Sequence, residues 1–252
     1  MNFSLSGKTA AVTGGARGIG RAICLGLASE GMNVGILDFL IEQAEETARM
    51  VREKNCESVA VKVDVAEQES VRLAFEKITT ELGPVDVLVS CAAITDNIAT
   101  IDKMSVEAWN RELAVNLSGA FYCIKQVGPK MAEREWGRII IISSRAGLDG
   151  GFGQCSYAAS KAGLCGLAKT AALEYARFGV TCNIVFPSLV NTPAVQKFSD
   201  DVKQRILRRI PTRRLQEPEE VASVVAFLAS DQARTMNGAE IMVTGGIELF
   251  TF

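Results

Sequence analysis

Two hydrophobic patterns alternate along the chain. Short apolar runs recur at Lys8–Thr13, Asn33–Leu37, Ser58–Val63, Val85–Val89, Arg138–Ser143, Val180–Phe186 and Ile241–Val243. They show no in-and-out alternation, which marks strands covered on both faces. Between them, apolar residues recur every three or four positions, the period of a helix with one buried side. Ile23, Cys24, Leu27 and Ala28 form such a face, closing at Gly31. The segments Ile41–Lys54 (Ala44, Ala48, Val51) and Gln68–Leu82 (Val71, Phe75, Ile78) repeat it. A long helix is predicted within Val106–Met131, with Trp109, Leu113, Leu117 and Phe121 as its apolar stripe. Another carries Tyr157 and runs to Phe178, with Gly179 as its stop, and a last one spans Glu217–Ala229. Leu189–Arg214 is polar and reads as irregular.

Strands alternating with helices, joined by right-handed crossovers, predict an α/β domain with a doubly wound, mostly parallel seven-stranded sheet and helices on both faces. With no repeat, low-complexity tract or linker, residues 1–252 read as one domain. In such a sheet a ligand sits beyond the carboxyl ends of the strands, at the switch point. Gly14–Gly20, Asp38, Asp64, Cys91, Ser144 and Pro187 all follow strand ends and therefore converge on one edge.

The first of these has a definite chemistry. A strand breaks into Gly14-Gly15-Ala16-Arg17-Gly18-Ile19-Gly20 and a helix follows. Glycines there let the backbone approach a diphosphate, and a helix N-terminus offers free N–H groups to it. Asp38, about 20 residues on, can accept the hydroxyls of an adenosine ribose and repels a 2′-phosphate. Arg17 argues the other way, since it can neutralise that phosphate; the residue after Asp38 is Phe39 and not a second cation, so the balance favours NAD over NADP. Asp64-Val65 can meet an adenine edge, although an Asp there also reads as a helix-entry residue. Asn116 interrupts an apolar stripe, and a local backbone partner would explain it.

Composition narrows the chemistry. The chain lacks histidine, which removes Ser-His-Asp and Cys-His hydrolases and histidine-containing zinc sites. Acid–base work near neutral pH must then fall to a perturbed Tyr, Lys, Cys, Asp or Glu. A net charge of -2 gives no reason to expect nucleic acid or an anionic membrane. No apolar run approaches a membrane span, and no signal peptide is visible. Seven cysteines without a C-x-x-C pair fit reduced thiols in a cytoplasmic protein. Arg205, Arg208, Arg209, Arg213 and Arg214 could dock an anionic substrate or carrier, but solvated helix faces are the commoner explanation of such a cluster.

Tyr157 and Lys161 lie four apart, on one face of a helix. An ammonium beside a phenol favours the phenolate, so Tyr157 is expected to move toward working pH and to serve a carbonyl/alcohol pair as acid or base. Ser144 can hold the oxygen being protonated.

Thr13-Gly14-x-x-x-Gly18-x-Gly20, Ser144 and Tyr157-x-x-x-Lys161, in that order, resemble the standard-length short-chain dehydrogenases/reductases, and the likeness runs nearly end to end. It includes Asp64-Val65, Val115-Asn116-Leu117, Gln154, Asn183–Pro187, Thr192-Pro193, Arg214–Ala222 and Gly245-Gly246. Within the family the pattern is most similar to 3-oxoacyl-carrier-protein reductases and their relatives. The resemblance implies a Rossmann fold and direct hydride transfer between a nicotinamide and a substrate carbon, without a metal. Tyr157 would be the general acid or base, Lys161 would lower its pKa and bind the nicotinamide ribose, and Ser144 would orient the substrate oxygen. Asn116 would hold a relay water. Cys91 and Ala92 would lie along the cofactor, and Pro187, Val190 and Thr192 would hold its nicotinamide end. A homotetramer or homodimer is implied, with the helices of Trp109 and Lys161 as interfaces.

Three departures stand out. The usual Asn-Asn-Ala-Gly after the fourth strand is Ser90-Cys91-Ala92-Ala93, which removes the amide bonds that brace this turn. Pro-Gly after the sixth strand is Pro187-Ser188, and the Asp before the closing glycines is Thr244. The leading expectation is an NAD(H)-dependent enzyme interconverting a small-molecule secondary alcohol and ketone, with a polyol or sugar, hydroxyacyl or small-ketone substrate. An NADPH-dependent 3-oxoacyl-carrier-protein reductase is the alternative. A non-catalytic dinucleotide sensor or scaffold is the rival of another class. Ala93–Asn97, Leu148–Gly153 and Leu189–Arg209, overlapping a substrate loop at about 188–214, are expected to shape the pocket.

Overall fold

A computed structural model describes residues 3–95, 97–196 and 199–249. Met1 and Asn2, and Asp96, Lys197 and Phe198 of the expected pocket segments, lie outside the described residues. The strands are β1 (Thr9–Thr13), β2 (Asn33–Asp38), β3 (Ser58–Lys62), β4 (Val87–Ser90), β5 (Gly137–Ile142), β6 (Val180–Pro187) and β7 (Glu240–Val243). They form one sheet in the order β3-β2-β1-β4-β5-β6-β7, and every pairing is parallel. The doubly wound reading is borne out, and "mostly parallel" becomes fully parallel. β1 pairs with β2 on one side and β4 on the other, so the switch point opens beyond Thr13, which aligns with Leu37 and Ser90.

Helices α1 (Gly18–Ser29), α2 (Ile41–Arg52) and α3 (Gln68–Leu82) fall where the 3.6 period places them. They are followed by α4 (Val106–Leu113), α5 (Gly119–Glu133), α6 (Ala146–Asp149), α7 (Cys155–Tyr175), α8 (Pro193–Gln196), α9 (Asp200–Leu207) and α10 (Pro218–Ala229). One apolar layer joins Leu27, Ile36, Val51 and Val225, and the other joins Phe75, Ile78, Met131, Leu164 and Phe186. Burial of these side chains from water on both faces is the main force holding the sheet.

Two expectations are corrected. The long helix is broken into α4 and α5 by a π-helical stretch at Ala114–Ser118. A π turn inserts an extra residue and shifts the helical phase, so a stripe extrapolated at 3.6 residues per turn misses the buried face. Trp109, Leu113 and Leu117 are half-buried and Phe121 is exposed, while Glu112, Val115, Asn116, Ala120 and Cys123 face the core. The second correction concerns Leu189–Arg214, which contains α8 and α9. Asp200 and Asp201 in the first turn of α9 and Arg205 in its last complement the helix dipole. Its arginines are exposed, and Arg214 forms an ion pair with Glu220 at 2.6 Å.

Candidate active site

The glycine turn approaches its neighbours too closely for side chains. A Cβ on Gly14 would stand 2.8 Å from the Ala92 Cα, and one on Gly20 would stand 2.0 Å from the Gly14 carbonyl oxygen. Arg17, the N-cap of α1, makes no side-chain capping bond, so the first-turn N–H groups stay available for an anion. A cavity of about 500 Å³ opens there. Its walls bring together Gly14, Arg17, Gly18, Ile19, Gly20, Asp38, Asp64, Val65, Cys91, Ala92 and Thr192, all expected from the sequence. This set fits a dinucleotide: small residues for the diphosphate, free helix N–H groups, and a carboxylate at the end of β2.

Asp38 does two jobs. Its Oδ2 accepts the N–H of Ala16 at 2.9 Å, and its Oδ1 accepts that of Leu40 at 2.9 Å, so the carboxylate is fixed while it braces the glycine turn. Asp64 lies on the cavity wall and closes a local turn. Its Oδ1 accepts the N–H of Ala66, and its Oδ2 pairs with Arg111 at 3.3 Å. Sequence reasoning missed Arg111 on the cavity wall, for no local signal links residues 47 apart. It also missed Lys62, the cross-strand partner of Asp38, which lies over the Phe39 ring at 5.4 Å. A second cation thus stands on the next strand, in register with Asp38.

The altered turn after β4 is not left without support. The Thr13 hydroxyl accepts the N–H groups of Cys91 at 3.0 Å and Ala92 at 3.1 Å. The expected loss of bracing is thereby corrected: a threonine on β1 supplies it. Thr244 donates to Glu248 and accepts the Gly246 N–H, a local closure in place of the missing Asp. Ser188 places a buried hydroxyl just past the end of β6, next to Pro187, with no partner among the described residues. Val190 is buried nearby. An orphaned hydroxyl there suits the polar end of a nicotinamide.

Tyr157 and Lys161 stand one turn apart on α7. Lys161 is 3% exposed, its Nζ donates to the Ile142 carbonyl at 2.9 Å, and it lies 5.7 Å from the Tyr157 ring centroid. Burial brings its pKa down to about 8. Tyr157 departs from expectation. Burial raises its pKa; the neighbouring Ser144 hydroxyl opposes that, and the nearby Cys91 and Glu112 add to the rise. Lys161 does not offset this, because with its own pKa brought down to about 8 it has lost its charge before the phenol titrates. Cys91 is pushed up to about 11 by burial, so it stays a neutral thiol at working pH.

Asn116 is satisfied across the fold and not locally. Its Oδ1 accepts the Ile94 N–H at 2.8 Å, and its Nδ2 donates to the Ile94 carbonyl at 2.9 Å and to Ser160 Oγ at 3.2 Å. Both amide hydrogens are committed, and the side chain fastens the segment after β4 to α7.

Residues 14–248 match the family described as enoyl-(acyl carrier protein) reductase, and the chain belongs to this family of short-chain dehydrogenases/reductases. It is an oxidoreductase of that class. Among relatives, it is 40% identical over 242 residues to the 3-oxoacyl-[acyl-carrier-protein] reductase FabG of Staphylococcus epidermidis, covering 95% of this chain and 98% of that one. It is 39% identical to the enzyme of the same name from Aquifex aeolicus, over 98% of this chain and all of that one. A solved NAD+-bound xylitol dehydrogenase superposes with a TM-score of 0.92 at 30% identity, over 96% of this chain and 100% of that one. Among the described residues, no helix is long and apolar enough to cross a membrane.

Proposed function

We propose that the protein reduces a 3-oxoacyl thioester to the 3-hydroxyacyl form, drawing on NAD(H). The observation that carries the reading is Tyr157 one turn from a buried Lys161, with Ser144 and the cavity-lining Cys91 close enough to act on its phenol. When bound, the nicotinamide supplies the hydride. Ser144 holds the substrate carbonyl oxygen, and Tyr157, kept protonated by burial, delivers the proton to that oxygen. Lys161 stands ready to restore the charge balance. The names of the relatives favour an acyl substrate over the polyol expected first.

The cofactor follows from Asp38. Anchored by two main-chain N–H groups, the carboxylate cannot swing away from a 2′-phosphate, whereas Arg17 is exposed and its attraction is screened by water. A fixed repulsion outweighs a flexible attraction. Arg17 together with Lys62 favours the second reading, NADPH. Acetoacetyl-CoA, crotonyl-CoA and xylitol, each assayed with both nucleotides, separate these readings. Acetoacetyl-CoA turnover with NADH is expected. Reduction of crotonyl-CoA alone, or oxidation of xylitol alone, would replace the substrate proposed. Binding without any turnover would point to the sensor reading.

A homo-oligomer is part of the proposal. Phe121 on α5 and Leu173 on α7 are 45% and 81% exposed, apolar surface that a second copy would cover. Light scattering tests it, and a monomer would contradict it. A cytoplasmic setting fits the seven free thiols.

A further inference from the structure

Glu112 is a buried carboxylate at a position that faces the core. It is 0% exposed, its Oε2 accepts the Ser156 hydroxyl at 2.5 Å, and its Oε1 accepts the N–H of Asn97 at 3.4 Å. Both partners are neutral. An apolar side chain at such a place would avoid the cost of stripping water from a carboxylate, so stability gives no reason for an acid here.

Its position does. Glu112 and Asn116 lie four apart and meet Ser156 and Ser160, also four apart on α7. The two rungs bracket Tyr157, and Ser160 in turn donates to the Tyr157 carbonyl at 2.7 Å. Each rung also holds the segment after β4, Asn116 through Ile94 and Glu112 through Asn97. The ionisable groups on the surrounding elements are Cys91 after β4, Cys155, Tyr157 and Lys161 on α7 with Cys165, Lys169, Glu174 and Tyr175 further along it, Asp102 and Lys103 before α4, and Glu107 and Arg111 on α4. Arg111 is held by Asp64 and Lys161 by the Ile142 carbonyl, while Asp102, Lys103 and Glu107 are exposed. The charge of Glu112 acts on Tyr157 and opposes its ionisation.

We propose that Glu112 is a positioning residue for Tyr157, fixing the start of α7 against the substrate-side segment and, by its negative charge, keeping the phenol protonated for donation. This rests on Tyr157 as the proton donor proposed above. It also fits the reductive direction, in which a tyrosine must enter the cycle carrying its proton.

Glu112→Gln tests it, because the amide can accept from Asn97 and donate to Ser156 while removing the charge. The phenol is titrated by ultraviolet difference spectra without substrate, with Tyr157→Phe subtracted to isolate Tyr157 from Tyr122 and Tyr175. The Tyr157 step is expected at lower pH in Glu112→Gln, and the alkaline limb of acetoacetyl-CoA reduction should move with it, at a Tm near the parent's. Ser156→Ala, which keeps the charge and breaks the rung, is expected to lower kcat while moving the Tyr157 step far less. An unmoved Tyr157 step in Glu112→Gln overturns the proposal, whatever happens to Tm. Should that variant not fold, Glu112→Met, of similar length and uncharged, serves the same titration. Undiminished turnover by Tyr157→Phe would instead sink the proposed function, and the titration would still judge the electrostatic link.

Discussion

Lys161 Nζ lies 5.7 Å from the centre of the Tyr157 ring while donating to the Ile142 carbonyl at 2.9 Å. The ammonium is therefore near the phenol without being spent on it. A lysine so placed is costly to the fold, since burial brings its pKa from 10.5 to about 8. Sites that hold charges away from water for chemistry commonly give up stability to do so.

Removing that charge should stabilise the protein. In the unfolded chain Lys161 titrates at 10.5 and in the folded chain at about 8, so between those values the unfolded state binds the extra proton. Stability from this group is full above 10.5 and is lost as pH falls through 8, a difference on the order of 3 kcal/mol. Lys161→Met is expected to melt above the parent at pH 7, with the gap closing in melts near pH 10, and to lose turnover. A Tm below the parent's at pH 7 would show that the Ile142 hydrogen bond outweighs desolvation.

Tyr157→Phe keeps the ring and deletes the proton. Loss of a positioned acid typically costs about 10²–10⁴ in rate. The reduction rate should fall in that range while NADH affinity, read by fluorescence, stays within a few-fold. An equal fall in both would mean that the hydroxyl holds cofactor and not substrate.

How much of this was legible beforehand differs by element. The sheet, the glycine turn and Asp38 could be read because each signal is local: an apolar run, a glycine spacing, an acid at a strand end. Glu112, Arg111 and Lys62 could not, because each acts through a partner on another element, and a lone charged residue in a helix or strand looks solvated. The stripe on α4 failed for a different reason. The π stretch at Ala114–Ser118 changes the phase, and no residue type there announces it. Tyr157 was misjudged in sign, since spacing shows that a lysine is near but not that burial lowers the lysine's own pKa and raises the phenol's.

Thr13 carries a prediction that the sequence alone would not suggest. Its hydroxyl is the acceptor for two N–H groups in the turn that departs most from the family. Thr13→Val keeps the shape of the 1% exposed side chain and orphans both donors, at roughly 1–3 kcal/mol for a buried unsatisfied group. Denaturant midpoints should drop accordingly, NADH should bind more weakly, and Thr13→Ser should restore both. Equal stability for Thr13→Val would mean that water replaces the hydroxyl at no cost.

Asp38 links fold and cofactor choice, and its two contributions can be separated. Asp38→Asn removes the charge that opposes a 2′-phosphate while leaving an oxygen for one main-chain N–H; Asp38→Ala removes both acceptors. With the repulsion gone, Arg17 and Lys62 are left to act on the phosphate. The ratio of NADPH to NADH affinity should rise in both variants by about tenfold or more, each decade being about 1.4 kcal/mol. Stability should fall further in Asp38→Ala, by about 1–2 kcal/mol, because the N–H groups of Ala16 and Leu40 lose a charged acceptor. A preference for NADPH already present in the parent, unchanged by either substitution, would show that Arg17 and Lys62 outweigh the carboxylate and would leave Asp38 as a brace of the glycine turn alone.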